Sequence, residues 1–242
     1  HWVVQAPFAP LLDDLGLSGV IAHDRKGGPR AFLRTVRALR ALRCDVALDL
    51  QGNWKSALLA WASRAPRRIG SPRAQRKEPR SALLSNEFVT APSPHPDDVA
   101  WALVRVLAQE LVPAYPPVLC ASDEECVGEA SALRALGVDP LAPFRVLVLA
   151  DPRDPRSLDA QVLQREAAAA REPVLALAGP HDDLALAPPG VPLLRHERGE
   201  LRRLITLGTL GARAGASALG PDKGAAHVLA ACGLHTTIVH RV

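Results

Sequence analysis

An α/β fold with parallel sheets in two halves is what this sequence predicts, and three observations predict it. Short apolar runs such as Asp45–Leu50 (DVALDL), Arg145–Ala150 (RVLVLA) and Val174–Ala178 (VLALA) recur along the chain. They are largely continuous rather than alternating, the pattern of strands covered on both faces. Longer stretches with helical spacing lie between them, and Pro-rich stretches divide the series into two sets, each the βαβ alternation of a Rossmann-like half.

Element by element, Trp2–Gln5 reads as a strand, Pro7–Leu15 as a short helix and Gly19–Ala22 as a second strand ending in the polar loop His23–Gly28, read as solvated. In Arg30–Arg43 the apolar residues Phe32, Val36, Leu39 and Leu42 recur at three and four residues, with Arg30, Arg34 and Arg37 on the outer face, so a helix is expected. Strand Asp45–Leu50 and helix Asn53–Ser63 follow. Trp54 and Trp61 are seven residues apart on that helix and are expected in the core, while Asp45 and Asp49 are expected to serve structure. Short elements cover the next stretch and Ala82–Ser85; helices are then expected over Asp97–Leu111 and Asp123–Leu136. Pro113–Pro117 (PAYPP) and Asp139–Pro143 (DPLAP) read as loops or linkers, and the second marks the expected division into residues 1–140 and 141–242. Beyond it come strand Arg145–Ala150, helix Leu158–Arg171, strand Val174–Ala178, loop Gly179–Asp183, strand Val191–Leu194 and helix Leu201–Leu207. Strand Ala216–Leu219, helix Lys223–Cys232 and strand Thr236–His240 complete the series.

The 242 residues are 48% hydrophobic and 22% charged, enough for a core and unlike a disordered chain. There is no methionine and residue 1 is His, so the numbering is expected to start inside a longer protein. The net charge of +4 is uneven: seven cations (Arg64, Arg67, Arg68, Arg73, Arg76, Lys77, Arg80) face the single anion Glu78 between residues 64 and 80. Such a patch suits a phosphate-rich partner, or is a solvated loop of a basic protein. Base-stacking aromatics make up only 4% of the chain, so nucleic acid is not the expected partner. The cysteines Cys44, Cys120, Cys126 and Cys232 lack paired CxxC spacing, so free buried thiols are expected and neither a metal nor a cofactor is. The uncharged stretch Gly224–His240 reads as helix then strand rather than a membrane span.

The most informative segment is Gly220–Gly233 (GPDKGAAHVLAACG), a strand end opening a helix. Asp222 is placed to cap the helix by accepting backbone N–H bonds, Gly224, Ala225 and Ala226 leave the first turn open to a phosphate, and His227 stands at the same end. The alternative is an ordinary capped helix with a satisfied histidine. Its pattern D-x-G-x-x-H-x-x-A-A-x-G resembles the donor-binding signature of glycosyltransferase family 9, the ADP-heptose:lipopolysaccharide heptosyltransferases, with Lys223 where the family carries Thr or Ser. Cys44–Gly70 (CDVALDLQGNWKSALLAWASRAPRRIG) resembles a second family segment through Asp45, Asp49, Gln51, Gly52, Lys55 and Ser56. Glu78–Pro79 and His95 with Val99 are similar to the heptosyltransferase I type, and HWVVQAPFAPLL to the family's second strand and helix. In Asp151–Leu158 (DPRDPRSL), Arg153 and Asp154 fit the family pattern and Arg156 takes the place of a phosphate-binding lysine. Asp183, ending GPHDD, is the nearest acid to the glutamate that holds the donor ribose.

The resemblance implies a GT-B fold of two facing Rossmann-like domains, the N-terminal one binding the acceptor and the C-terminal one the nucleotide sugar. It implies inverting, metal-independent transfer of heptose from ADP-heptose to the lipopolysaccharide inner core, in the cytoplasm with peripheral contact at the inner membrane. Donor contacts are then expected from Asp222, Lys223, Gly224, His227, Arg156 and Asp183, and acceptor contacts from Lys55, Arg76, Lys77 and Arg80. The family's general base lies on a loop that would precede His1, so no acid here takes that role and residues 1–242 alone are expected to be inactive. The replaced donor contacts leave a second reading, a non-catalytic relative that binds nucleotide sugar.

Overall fold

The computed structural model describes residues 1–13, 15–109, 119–151, 153–197 and 200–240. The expected loop Pro113–Pro117 lies outside them. Two compact units account for the fold, His1–Ala6 with Gly19–Ala114, and Pro7–Ser18 with Tyr115–Val242.

In the first unit β1 (Trp2–Gln5) pairs in parallel with β2 (Val20–His23). Helix α1 (Gly28–Ala41) opens with a proline in its first turn, where a missing N–H costs nothing, and buries Ala31, Thr35, Val36 and Leu39. β3 (Val46–Asp49) pairs with β4 (Arg67–Gly70), and β4 with β5 (Glu87–Phe88), all in parallel. Between β3 and β4, α2 (Trp54–Ala62) is started by a capping box in which Asn53 and Ser56 satisfy each other's backbone N–H groups. α2 buries Ala57 and Ala62, so Trp54 and Trp61 project from the opposite face, 45% and 53% exposed. This corrects the expectation that they are core: a spacing of seven puts two residues on one face without saying which. α3 (Pro96–Arg105) packs Val99 and Leu103 against Ile69 of β4.

In the second unit α4 (Asp123–Ala135) begins at a Ser122–Glu125 capping box. The rest runs β6 (Arg145–Val148), α5 (Ala160–Ala169), β7 (Val174–Ala178), β8 (Leu193–Arg195), α6 (Leu201–Ala214), β9 (Ser217–Pro221), α7 (Gly224–Ala231) and β10 (His235–Val239). Its five parallel strands lie in the spatial order β8-β7-β6-β9-β10. Counted within the unit this is 3-2-1-4-5, the doubly wound order. Successive strand residues serve opposite layers: Val146 and Val148 join the cluster with α4, α6 and α7, whereas Leu147 and Leu149 join Leu158 and Leu163 on the other face. That is the physical content of the apolar run RVLVLA.

The division expected near residue 140 falls inside this unit. Cys126, Ala130 and Leu133 of α4 are buried in the same cluster as β6 and β9. Arg202, Arg203 and Arg213 of α6 pair with Glu125, Glu129 and Asp123 of α4. Among the described residues no helix is long and apolar enough to cross a membrane, and no group of three or more His, Cys, Asp or Glu is placed to hold a metal ion. All four cysteines are free; Cys126 and Cys232 are buried, but Cys120 is exposed.

Candidate functional site

In an open parallel sheet, ligands sit beyond the carboxyl ends of the strands where the strand order reverses. Here that point lies between β6 and β9. The segment after β6 carries Asp154 and Arg156, and the segment after β9 carries Asp222, Lys223 and the start of α7. Five of the six residues expected at a donor site therefore lie at the switch point: Arg156, Asp222, Lys223, Gly224 and His227.

Their local chemistry differs from the expectation in three ways. Asp222 does not cap α7. The cap position is Lys223, whose side chain makes no capping hydrogen bond, and Asp222 Oδ1 instead lies 2.7 Å from His227 Nε2. Asp222 Oδ2 is also 3.7 Å from Arg156 Nη1 and 3.8 Å from Nδ1 of His240, the residue following β10. His227, with help from His240 and Arg156, holds the Asp222 carboxyl below its usual range. The carboxylate is drawn to His227, Arg156 and His240, which leaves the first N–H groups of α7 without a side-chain cap. Gly224 is exposed, and a Cβ there would meet nothing within 4 Å. The helix tip is therefore open to an anion.

Second, Lys223 is not free. Its ammonium donates to the Asp182 carboxylate and, at 3.2 Å, to the Leu149 carbonyl oxygen. Asp182 is the inward acid of the GPHDD loop, its side chain only 4% exposed and its Oδ2 accepting from Gly179 N at 2.7 Å. Asp183, the acid expected to act, caps the short turn Leu184–Leu186 by accepting from Ala185 N. Sequence reading missed Asp182 because two adjacent acids carry no signal of which turns inward.

Third, Arg156 grips Asp154 with Nε and Nη2 at 2.9 and 2.8 Å. These bonds, with that from the Arg156 backbone, lower the Asp154 pKa to about 2. Arg153 is held in the same way by Asp151.

Comparison with known proteins gives this geometry a context. Residues 32–109 match the model of glycosyltransferase family 9 (heptosyltransferase). No curated protein matches the chain in sequence. Among solved structures, a family 9 glycosyltransferase from Veillonella parvula superposes with a TM-score of 0.76 at 13% identity, over 98% of this chain and 71% of that one. The E. coli heptosyltransferase WaaC with ADP-2-deoxy-2-fluoro heptose gives 0.64 at 19% identity, over 98% and 77%. E. coli ADP-heptose lps heptosyltransferase II gives 0.60 at 15%, over 99% and 80%. Likeness at these identities shows the fold, α/β of the GT-B type, and a glycosyltransferase is the coarse class that the family 9 match supports.

Within the matched segment, Arg76 corrects the picture of a solvated basic patch. Its side chain is fully buried and pairs with Asp49 Oδ2 at 2.9 Å. Arg76 Nε donates to the Ser71 carbonyl at 2.6 Å, Nη1 to Ser81 Oγ at 3.2 Å and Nη2 to Ser85 Oγ at 2.8 Å, while Asp49 Oδ1 accepts from Gly52 N at 3.1 Å. Two motif glycines make room for this guanidinium. A Cβ at Gly70 would lie 2.0 Å from Arg76 Nη2, and one at Gly52, whose φ is +60°, 3.1 Å from Arg76 Cγ. Arg76 therefore locks the loop between β3 and α2 and is not available to an acceptor. Arg67 pairs with Glu87, and Arg68 donates to the Leu84 and Ala65 carbonyls. Exposed cations remain at Arg64, Arg73, Lys77 and Arg80. Lys55, in the first turn of α2, lines a 210 Å³ cavity with His23, Asp24, Arg25, Phe32 and Leu58. A larger depression of 490 Å³ lies against Arg73, Leu83 and Phe88, and neither cavity includes a donor-site residue.

Proposed function

We propose that this protein is an inverting glycosyltransferase that moves a heptose from ADP-heptose to the lipopolysaccharide inner core. The observation that carries the reading is the uncapped tip of α7 at the switch point, with Arg156, Lys223 and His227 beside it. In such a transfer the acceptor oxygen bonds to the anomeric carbon as the sugar–phosphate bond breaks, and the electron pair leaves with the diphosphate of ADP. The oriented N–H groups of the helix tip, the guanidinium, the ammonium and a protonated imidazole are the groups here that stabilise that charge. Support for the donor class comes from WaaC, whose structures hold ADP and ADP-2-deoxy-2-fluoro heptose.

On this reading the second unit supplies the nucleotide-sugar site, and the first unit carries the acceptor site through Lys55, Lys77 and Arg80. The exposed cations face an anionic acceptor at the inner leaflet, with the protein held there peripherally. A second reading, a non-catalytic nucleotide-sugar binder, is favoured by one observation: the donor-side cations Arg156 and Lys223 are each already matched by a carboxylate.

Calorimetry with ADP on residues 1–242 tests the donor site. Transfer from ADP-heptose to a lipopolysaccharide-core acceptor is assayed in parallel. Binding with turnover supports the transferase, binding without turnover supports the second reading, and no binding refutes both.

A further inference from the structure

We propose that Asp182 is a positioning residue that holds Lys223 while the site is empty and passes to His196 when a diphosphate takes the lysine. The proposal deepens the nucleotide-sugar reading and rests on it for the identity of the anion.

Two independent observations meet here. The first is the Lys223–Asp182 pair, in which the ammonium is held by the Asp182 carboxylate and the Leu149 carbonyl. The second is His196, the residue after β8, whose Nε2 is buried without a hydrogen-bond partner. Buried ring nitrogens are normally satisfied, so an orphan of this kind calls for an explanation. The missing partner is close. A Cβ built on Gly179 would lie 3.2 Å from His196 Nε2 and 3.3 Å from Asp182 Oδ2, so the two groups flank the same small space. Asp182 has Lys223 and His196 near it, and its Oδ1 pairs with Lys223 while its Oδ2 accepts from Gly179 N.

Electrostatics explain why. Burial pushes the His196 pKa down, and the Lys223 charge adds to that. A backbone hydrogen bond at Glu197 and the carboxylates of Asp182 and Glu200 pull the other way. The groups facing the ring are thus Lys223 at the cap of α7, Asp182 after β7, and Glu197 and Glu200 ahead of α6. With Lys223 present the ring stays neutral.

A diphosphate at the tip of α7 offers the ammonium more negative charge than one carboxylate does, and Lys223 sits at that tip on a flexible four-carbon stem. Once Lys223 moves, the Asp182 carboxylate is left buried without its cation. His196 Nε2 then takes one proton from solvent and donates it to Asp182. Lys223 keeps its own proton, so the protein gains one in the exchange.

The test has two arms on the 242-residue chain. In the first, the His196 ring is titrated by NMR without ligand. In Lys223→Ala, and in the gentler Lys223→Gln should the alanine variant fold poorly, its pKa rises by about one pH unit relative to the parent. Adding Asp182→Asn cancels the rise. An unmoved His196 titration overturns the exchange. In the second arm, ADP binding is measured by calorimetry in two buffers of different ionisation enthalpy. The parent takes up a substantial fraction of a proton on binding, and His196→Gln binds ADP without that uptake. Binding without uptake, or uptake that survives His196→Gln, overturns the exchange and leaves the nucleotide reading standing. Absence of ADP binding overturns the nucleotide reading, and the first arm still decides whether Asp182 passes to His196.

Discussion

Replacing Arg76 by alanine should cost far more than its place in a basic stretch suggests. Its guanidinium and the Asp49 carboxylate are 0% and 1% exposed and face each other at 2.9 Å. Removing one partner of such a pair leaves the other charge buried, a penalty of about 3–5 kcal/mol. Part of that penalty falls on Ser81 and Ser85, whose hydroxyls lose a charged donor. With an m-value of about 2 kcal/mol/M, the urea midpoint of the first unit falls by roughly 2 M. Arg76→Lys keeps the charge but not the fork that spans Ser71, Asp49, Ser81 and Ser85, so it falls between alanine and the parent. The double variant Asp49→Leu/Arg76→Met removes both charges and recovers most of the loss, because a buried pair is worth little against well-packed apolar groups. Urea unfolding followed by circular dichroism reads all three. A loss below about 1 kcal/mol for Arg76→Ala would mean that Asp49 is not isolated by the removal, and would refute the buried-pair argument.

Other predictions follow from the same contacts. Lys77→Glu with Arg80→Glu raises the acceptor KM while leaving stability within about 0.5 kcal/mol, since both side chains are exposed; an unchanged KM in a steady-state assay removes them from the acceptor site. Arg156→Ala weakens ADP binding about tenfold by calorimetry, equivalent to about 1.4 kcal/mol, because the guanidinium next to the helix tip is lost. Glu125 is held at a pKa of about 2, first by its bonds to Arg202 and then by those to Ser122, against an ordinary value of 4.5. A depressed acid stabilises the fold above its unfolded pKa, so the stability difference between the parent and Glu125→Ala is full above pH 4.5 and fades as pH falls toward 2, read by denaturation across pH. Gly208→Leu forces α6 away from α7, since even a Cβ there would meet Cys232 Cβ at 2.7 Å; it costs about 1–3 kcal/mol and lowers ADP affinity by disturbing the helix that forms the tip.

Gly208 also shows where sequence reading stops. Val174–Ala178 is a strand over its full expected length because a run of buried β-formers between breakers has few other solutions. Helix α6, expected to end at Leu207, instead continues to Ala214. It runs through Gly208 and Gly211, which are contact positions against Cys232 and Leu234, and stops at Gly215, whose φ is +68°. A glycine that ends a helix and one that lets another element approach look the same in sequence. Arg76 presents the same difficulty for charge. Nothing in RAQRKEPR separates the buried arginine from its exposed neighbours, because the partner that buries it, Asp49, is 27 residues away.

The proposed donor side was legible in its backbone and illegible as a circuit. The strand–loop–helix pattern of Gly220–Gly233 predicted a strand end followed by a helix start, which the structure has, since that depends on local backbone geometry. Which carboxylate each partner meets is only partly local: Asp154 meets Arg156 and Asp222 meets His227 within one segment, whereas Asp182 meets Lys223 because the sheet brings the ends of β7 and β9 together. That pairing changes how the replaced residues are weighed. In a site whose cations are all matched, an incoming diphosphate is attracted by the uncapped N–H groups and must then displace carboxylates from side chains. Affinity is the difference between two sets of ion pairs, and the lysine at position 223 matters as much for the acid it releases as for the phosphate it meets.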